Sequence, residues 1–460
     1  MRLTLRPYQA ECLSALRQAF RSGCIAPLLQ LPTGGGKTVI FAQITEGAAA
    51  KGNRVYIIVH RRELLQQASD ALDDLGVPHG LISPRHKQTS ATVQVASIQA
   101  LIRRKLPPPD LLVLDEAHHA IAGMWATIRQ RFPNAKLLGV TATPARSDSQ
   151  GLGDVFDSLI CGPQVAELVR QGYLSKPVMY APAAKIDIAK IRHRAGDFDA
   201  NAAAAALDRA SICGDVLAHY RRLSDRKPAI AFCATVAHAH HVAEAFKAAG
   251  YAAAALDGKT EDAPRKEMIR DLGNGALHVL TSCEVVSEGT DIPAVNTAIL
   301  LRPTESTGLY LQQVGRALRP YAGKISALIL DHVGNCMRHG LPDDDREWTL
   351  EGAEQGKVKA SQQGVTRLKM CKACYAMNPM YVSACEQCQA VFEPQREPPK
   401  QTDGELREIT EEDREAMRRQ QRREVGMART LEELEKIATA RGYARGWARF
   451  VMKARQRRAA

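Results

Sequence analysis

The chain has 460 residues, 45% apolar and 24% charged, a globular balance too long for one ordinary core, which predicts two large domains and a small extra one. A net charge of +12 and an isoelectric point near 9.2 point to an anionic partner, nucleic acid ahead of membrane, because no basic amphipathic anchor stands out. No apolar run approaches the roughly 18 residues of a membrane span, and the opening MRLTLRPYQA lacks the apolar centre of a signal peptide, so a cytoplasmic protein is expected.

In the first third the apolar runs PLLQL, VYIIV, VQVAS, LLVLD and LLGVTA alternate with stretches of helical period such as 62–76. That alternation predicts a parallel sheet covered by helices. The pattern pauses around 145–180 and resumes with AIAFCA (229–234), a helix through 236–250, LHVLTS (277–282), TAILL (297–301) and SALILD (326–331). The fold class read from this is α/β, two tandem parallel-sheet domains over 1–165 and 180–340. A polar stretch, 341–366, reads as a linker, 367–394 as a cysteine module, and 402–460 as a basic helical tail. In the tail Thr430 and Glu433 have capping-box spacing.

The run 30-QLPTGGGKTVI-40 lies between a strand-like segment and an apolar helix start. In that setting backbone N–H groups at a helix N-terminus hold phosphate. Gly34, Gly35 and Gly36 allow close approach, Lys37 supplies a point charge, and Thr38 offers an oxygen to magnesium. The strict pattern GxxxxGK[ST] asks for glycine at position 31, where leucine stands, so a loop that merely contains GKT is the bland alternative. The run 111-LLVLDEAHHA-120 weakens that alternative by delivering Asp115 and Glu116 to the end of a strand. One carboxylate can hold magnesium while its neighbour polarises the attacking water.

With these residues in view, the sequence resembles a superfamily 2 helicase of the DEAD/DEAH kind, from about residue 3 to residue 335. The resemblance implies RecA-like domains, ATP and Mg²⁺, and it tolerates Leu31. RPYQ (6–9) resembles the adenine-reading segment, implying base contacts from Gln9 with Arg6 beside it. PTGGGKT, beginning at Thr33 after its proline, and DEAH, ending in His118, match motifs I and II. VHRRELLQQ (59–67), with Arg61, and ASIQAL (96–101), with Ser97 and Gln99, resemble nucleic-acid-contacting segments; Thr281 is placed with them. VTATP (140–144) looks like motif III, with Thr141 and Thr143 linking hydrolysis to domain movement. SEGTDIP (287–293) is similar to motif V, with Gly289 and Asp291 facing nucleotide. QQVGRALRP (312–320) matches motif VI, which implies Arg316 and Arg319 as arginine fingers and Gln312 ordering water or the γ-phosphate. The alternative for the two arginines is a surface salt-bridge pair. Within the superfamily the likeness is to bacterial RadD and similar phage-borne helicases, on LRPYQ, LPTGGGKT, EGTDIPAV and a cysteine module after the motor.

That module, 371-CKACYAMNPMYVSACEQC-388, sets Cys371, Cys374, Cys385 and Cys388 as two C-x2-C knuckles, a pattern for structural Zn²⁺ with an iron–sulfur cluster as the rival. The remaining seven of the eleven cysteines are scattered. Lys369, Lys372, Tyr375 and Tyr381 are either nucleic-acid contacts or ordinary exposed residues. In the tail, Tyr443, Trp447 and Phe450 read as a small helical core, and Arg441, Arg445 and Arg449 as a phosphate-contacting stripe or a partner surface. The expected activity is an ATP-dependent helicase or translocase, on DNA ahead of RNA, in repair, recombination or replication. The alternatives are an RNA helicase, the motor subunit of a restriction or nuclease system, and a zinc-anchored nucleic-acid-binding protein without motor activity.

Overall fold

The computed structural model describes residues 4–60, 62–87, 89–119, 122–144, 151–181, 193–194, 197–200, 203, 210–283, 292–351, 368–371, 373–379, 381–392, 419, 423–428, 430–441, 448 and 451–452. The chain divides into two compact units, Met1–Glu393 and Pro394–Ala460.

The larger unit holds two parallel sheets. The first contains β1 (Pro27–Gln30), β2 (Val55–Val59), β3 (His79–Ile82), β4 (Val93–Ser97), β5 (Leu111–Asp115), β6 (Lys136–Thr141) and β7 (Ser158–Cys161), in the order β3-β4-β2-β5-β6-β1-β7. The second contains β8 (Lys176–Tyr180), β11 (Ala229–Cys233), β12 (Ala253–Leu256), β13 (Val279–Ser282), β14 (Thr297–Leu301) and β15 (Ser326–Asp331), in the order β12-β13-β11-β14-β15-β8. A short hairpin, β9 (His193–Arg194) with β10 (Asp197–Phe198), lies between them in sequence.

Each apolar run named above lies in one of these strands. The interior ones are buried along their length, as in β2, β5, β11 and β14, because helices cover both faces of a parallel sheet. The four strands that carried no such signal, β3, β7, β8 and β12, are the four sheet edges. β3 alternates in burial, β7 is half-exposed, and β8 carries Pro177, which an edge tolerates.

The covering helices are α1 (Pro7–Arg21), α2 (Lys37–Ala49), α3 (Arg62–Asp74), α4 (Ile98–Arg103) and α5 (Ala122–Arg131) for the first sheet. α6 (Val165–Arg170) lies in the crossing between the sheets. α7 (Ala210–Ser224), α8 (Val236–Ala248), α9 (Asp262–Asn274), α10 (Thr307–Ala317) and α11 (Asn335–His339) belong to the second. In an open parallel sheet the loops beyond the strand carboxyl ends form the ligand crevice. The loops after β1, β5 and β6 are such loops, and α10 is set against them.

The stretch read as a linker begins by returning to the first domain. The Leu350 carbonyl accepts the N–H groups of Leu152 (2.9 Å) and Gly153 (3.0 Å), and the Leu350 side chain packs on that domain's core.

In the second unit, α12 (Leu431–Arg441) opens with both reciprocal capping bonds, Glu433 N–H to Thr430 Oγ1 (3.2 Å) and Thr430 N–H to Glu433 Oε2 (3.1 Å). A small core of Ala428, Leu434 and Ala448 forms there. Tyr443, Arg445, Trp447, Arg449 and Phe450 lie outside the described residues. Among the described residues no helix is long and apolar enough to cross a membrane.

Candidate active site

The glycine run connects β1 to α2. Gly36, the N-cap of α2, has φ 84° and ψ 38°, a left-handed conformation that glycine adopts without penalty. A Cβ there would stand 2.3 Å from Gln9 Nε2. The loop is tied to the start of α1: Tyr8 O–H donates to the Gly35 carbonyl at 2.8 Å and Gln9 Nε2 donates to the same oxygen at 3.3 Å. Gln9 Oε1 accepts the Arg6 N–H at 2.9 Å, and the Arg6 guanidinium lies 4.7 Å from the centroid of the Tyr173 ring. Tyr173 carried no sequence signal because it sits where the strand pattern pauses.

Asp115 ends β5 and Glu116 follows it, both buried. Glu116 has φ 49°, which costs an ordinary residue of order ~1 kcal/mol, and the Glu116 N–H donates to Asp115 Oδ1 at 2.9 Å. Glu116 Oε2 is buried with no hydrogen-bond partner, and His118 Nδ1 stands 3.5 Å away. Such a carboxylate oxygen has room in its bonding for a water. Burial lowers the Lys37 pKa; Glu116 and Asp115 oppose that shift, and Arg316 and Arg319 reinforce it. Three cations thus face two carboxylates, a surplus of positive charge suited to polyphosphate. The oxygen donors Thr38 and Asp115 fit the hard ligand set of Mg²⁺.

A hydrogen-bond chain crosses from the second domain to the first. Gln312 Nε2 meets His118 Nε2 at 3.1 Å, and His118 Nδ1 meets Thr141 Oγ1 at 2.9 Å. The Thr141 hydroxyl donates to the Thr143 carbonyl at 2.9 Å and accepts the Thr143 N–H at 3.1 Å. An amide nitrogen only donates, so His118 Nε2 accepts and Nδ1 carries the proton toward Thr141. Donation therefore runs in one direction, and the neutral imidazole is required for it.

The face of α10 that makes this contact also carries two glycines. A Cβ on Gly315 would lie 2.5 Å from Thr33 Cβ, and one on Gly308 would lie 2.9 Å from Thr143 Oγ1. A Cβ on Gly34 would meet Leu174 Cδ2 at 2.9 Å and lie in ordinary contact, at 3.5 Å, with Arg319 Cγ. Gly308 was not singled out from the sequence, although its spacing from Gln312 and Gly315 on one helix face was legible. Gly315→Ala is expected to lower kcat for ATP hydrolysis about tenfold or more, because the new methyl meets Thr33 Cβ and Cγ2 and a Cβ moves only with its backbone. Steady-state kinetics with a thermal-unfolding control checks this; an unchanged kcat in the folded variant would show that the contact is dispensable.

The other expected residues are placed as follows. Ser97 is half-buried, its Oγ without a hydrogen-bond partner, and Gln99 is exposed. Thr281 is fully buried and its hydroxyl donates to the Ala239 carbonyl at 2.7 Å, so it faces the core of the second domain and not a surface. Arg61, Gly289, Asp291 and Lys372 lie outside the described residues.

The four cysteines converge, every Sγ lying within 4.8 Å of the others. Cys371 to Cys388 and Cys374 to Cys385 are each 3.6 Å, while tetrahedral zinc with Zn–S near 2.3 Å needs sulfurs about 3.8 Å apart. The knuckles repeat one backbone pattern. Tyr375 N–H donates to the Cys371 carbonyl and Gln389 N–H to that of Cys385, both at 2.8 Å, and Tyr375 and Gln389 have φ 65° and 61°. Burial alone would raise the Cys385 pKa, but the N–H groups of Cys388 and Gln387 favour the thiolate and bring it to about 6. The donor set fits zinc, which would supply a structural cross-link with no open position. The module extends the β8 edge through a bridge between Tyr180 and Ala376, and it buries Cys371, Ala376 and Cys385 with Val178 and Leu328.

Comparisons with known proteins agree with this geometry. Residues 2–146 match the family model described as type III restriction enzyme, res subunit, and residues 210–321 match that of the helicase conserved C-terminal domain. The chain is 34% identical over 361 residues to a 51.5 kDa protein of a Lactococcus phage, covering 78% of this chain and 77% of the phage protein. It is 29% identical over 398 residues to IRC3 of Saccharomyces cerevisiae, provisionally named an ATP-dependent helicase, covering 78% of this chain and 58% of IRC3. Its fold is shared by the ATP-dependent type ISP restriction-modification enzyme LlaBIII, solved bound to DNA (TM-score 0.52, 16% identity, 71% of this chain and 28% of that one).

Proposed function

Because the chain belongs to the superfamily 2 helicases and so to the ATP hydrolases, we propose that it is a motor driven along nucleic acid by ATP hydrolysis, on DNA in preference to RNA, in repair, recombination or replication. The observation that carries the reading is the convergence of Lys37, Asp115 and Glu116 from one domain with Gln312, Arg316 and Arg319 from the other. Thr38 and Asp115 would hold Mg²⁺, which neutralises phosphate charge when bound. Glu116 orients and deprotonates the attacking water, using its unpartnered oxygen. Arg316 and Arg319 bring positive charge to the γ-phosphate only when the domains meet, so nucleotide state sets domain separation. Arg6 and Gln9 would hold the base, and Gly289 and Asp291 are assigned nucleotide contacts on their sequence motif alone. Arg61, Ser97 and Gln99 line the nucleic-acid path. DNA is favoured by sequence relatives named for it, among them a provisionally named DNA 3'-5' helicase of Haloarcula marismortui, 27% identical over 373 residues, while the +12 charge fits either nucleic acid.

The test is ATP hydrolysis by the full chain with no nucleic acid, single-stranded DNA, forked DNA and RNA. Stimulation by DNA of roughly tenfold or more is expected, with binding that falls linearly in log–log salt plots. No stimulation by any nucleic acid would overturn the motor reading, and equal or greater stimulation by RNA would overturn the DNA preference. A second reading, the motor subunit of a restriction complex, is favoured by the description of the model matched at 2–146. It requires that DNA cleavage appear on adding a separate nuclease subunit.

A further inference from the structure

The chain passes from the first sheet domain to the second between β7 and β8, returns to the first after α11, and by the cysteine module lies again on the β8 edge of the second. The return path is fastened at three places. At its root Arg346 is buried, and its Nη2 donates to the carbonyls of His339 (2.9 Å) and Leu341 (3.0 Å). The same turn supports α10: Tyr310 O–H donates to the Gly340 carbonyl at 3.1 Å, and the Tyr310 ring stacks on His339 at 5.3 Å. At the same residue Gln164 grips the Arg346 backbone on both sides, accepting its N–H at 2.7 Å and donating to its carbonyl at 3.0 Å. At the far end the Leu350 carbonyl holds the N–H groups of Leu152 and Gly153. Between these anchors Trp348 lines an interdomain cavity of about 30 Å³ with Thr33, Thr143 and Gly315.

Arg346 is therefore rooted beneath the helix that bears Gln312 and Arg316, while Leu350 is rooted in the first domain. The chain between them reaches at most about 14 Å when fully extended. Opening of the cleft beyond that reach must release one anchor, and closing restores it.

We propose that residues 341–351 form a strap that couples closure over ATP to the placement of α10, with Gln164 and Arg346 acting as positioning residues for Arg316 and Arg319. This rests on the motor reading above. Gln164 touches no part of the nucleotide loop's own hydrogen bonding; it acts through the strap. Loss of its two bonds leaves the ATP-binding groups in place and shifts the domains toward separation.

The experiment compares the full-length wild type with Gln164→Ala and Gln164→Glu. Gln164→Glu keeps the acceptor for the Arg346 N–H and sets a carboxylate oxygen against the Arg346 carbonyl, so it does not restore the clasp. Two quantities are read: amide hydrogen exchange at Leu152 and Gly153, with and without a non-hydrolysable ATP analogue, and kcat and KM for ATP at saturating nucleic acid. The expected result is slow exchange in the wild type, slowed further by the analogue, and exchange about tenfold faster in both variants. With it kcat falls about tenfold at a KM changed by less than about threefold. Exchange unaltered by either substitution, or an unaltered kcat in a folded variant, overturns the strap. A wild type that hydrolyses no ATP overturns the motor reading instead, and the exchange result still decides whether the strap is fastened.

Discussion

Arg316→Ala is expected to lower kcat for ATP hydrolysis by roughly a thousandfold or more, with ATP affinity reduced by less than about tenfold. Arg316 is buried on α10 one turn beyond Gln312, so the two share the helix face that meets the first domain. Its charge acts on Lys37 across the cleft, which puts it within the field of the phosphate site. A guanidinium there stabilises charge that grows on the γ-phosphate oxygens, an interaction stronger in the transition state than in the ground state. Arg316→Lys should recover little of the loss, because a point charge cannot reproduce the planar fork. Single-turnover hydrolysis together with equilibrium binding of a fluorescent ATP analogue separates the two effects. A kcat near that of the wild type would assign Arg316 to a structural ion pair.

Cys385→Ser is expected to abolish stoichiometric zinc and to lower the thermal-unfolding midpoint of the chain by roughly 5 °C or more. The metal closes a module whose sulfurs are themselves part of a small core with Val178 and Leu328. Without it the Tyr180–Ala376 bridge has no support and the β8 edge of the second sheet is uncovered. The Lys176 to Glu386 ion pair, 2.9 Å apart and half-exposed, adds too little to hold the module alone. Metal analysis of the purified protein and calorimetry of both forms check the prediction. Iron with visible charge-transfer absorption in the wild type, or an unchanged midpoint after metal loss, would count against a structural zinc.

The sequence was most legible where physics acts on neighbours. Interior strands such as VYIIV and LLVLD announce themselves because both faces are buried. The edge strands do not, since one flank lacks a full neighbouring strand and many side chains are only partly buried; β12, written AAAL, has even the composition of a helix. In the site, the loop Gly34–Thr38 and the pair Asp115–Glu116 were readable from local chemistry. The left-handed Glu116 backbone was not, because only the surrounding fold holds it there. His118 was expected among the coupling residues, but its two partners, Gln312 and Thr141, come from distant parts of the chain. Gln164, Arg346 and Trp348 lie in segments whose polarity reads as connection. Their contacts arise only when two domains are brought together, and no local pattern encodes that.

The outward crossing and the strapped return have a mechanical consequence. A body joined to another at one point can swing about any axis through it. Joined at two, it keeps a single rotational freedom, about the line between the attachments. While Leu350 and Gln164 hold the return path, the proposed strap would favour turning of the second domain along that arc. Sliding and twisting would be restrained, so α10 would re-enter the phosphate site on a similar trajectory at every cycle. Releasing the Leu350 end would relax that restraint, giving the same molecule a loose mode of closure as well as a tight one.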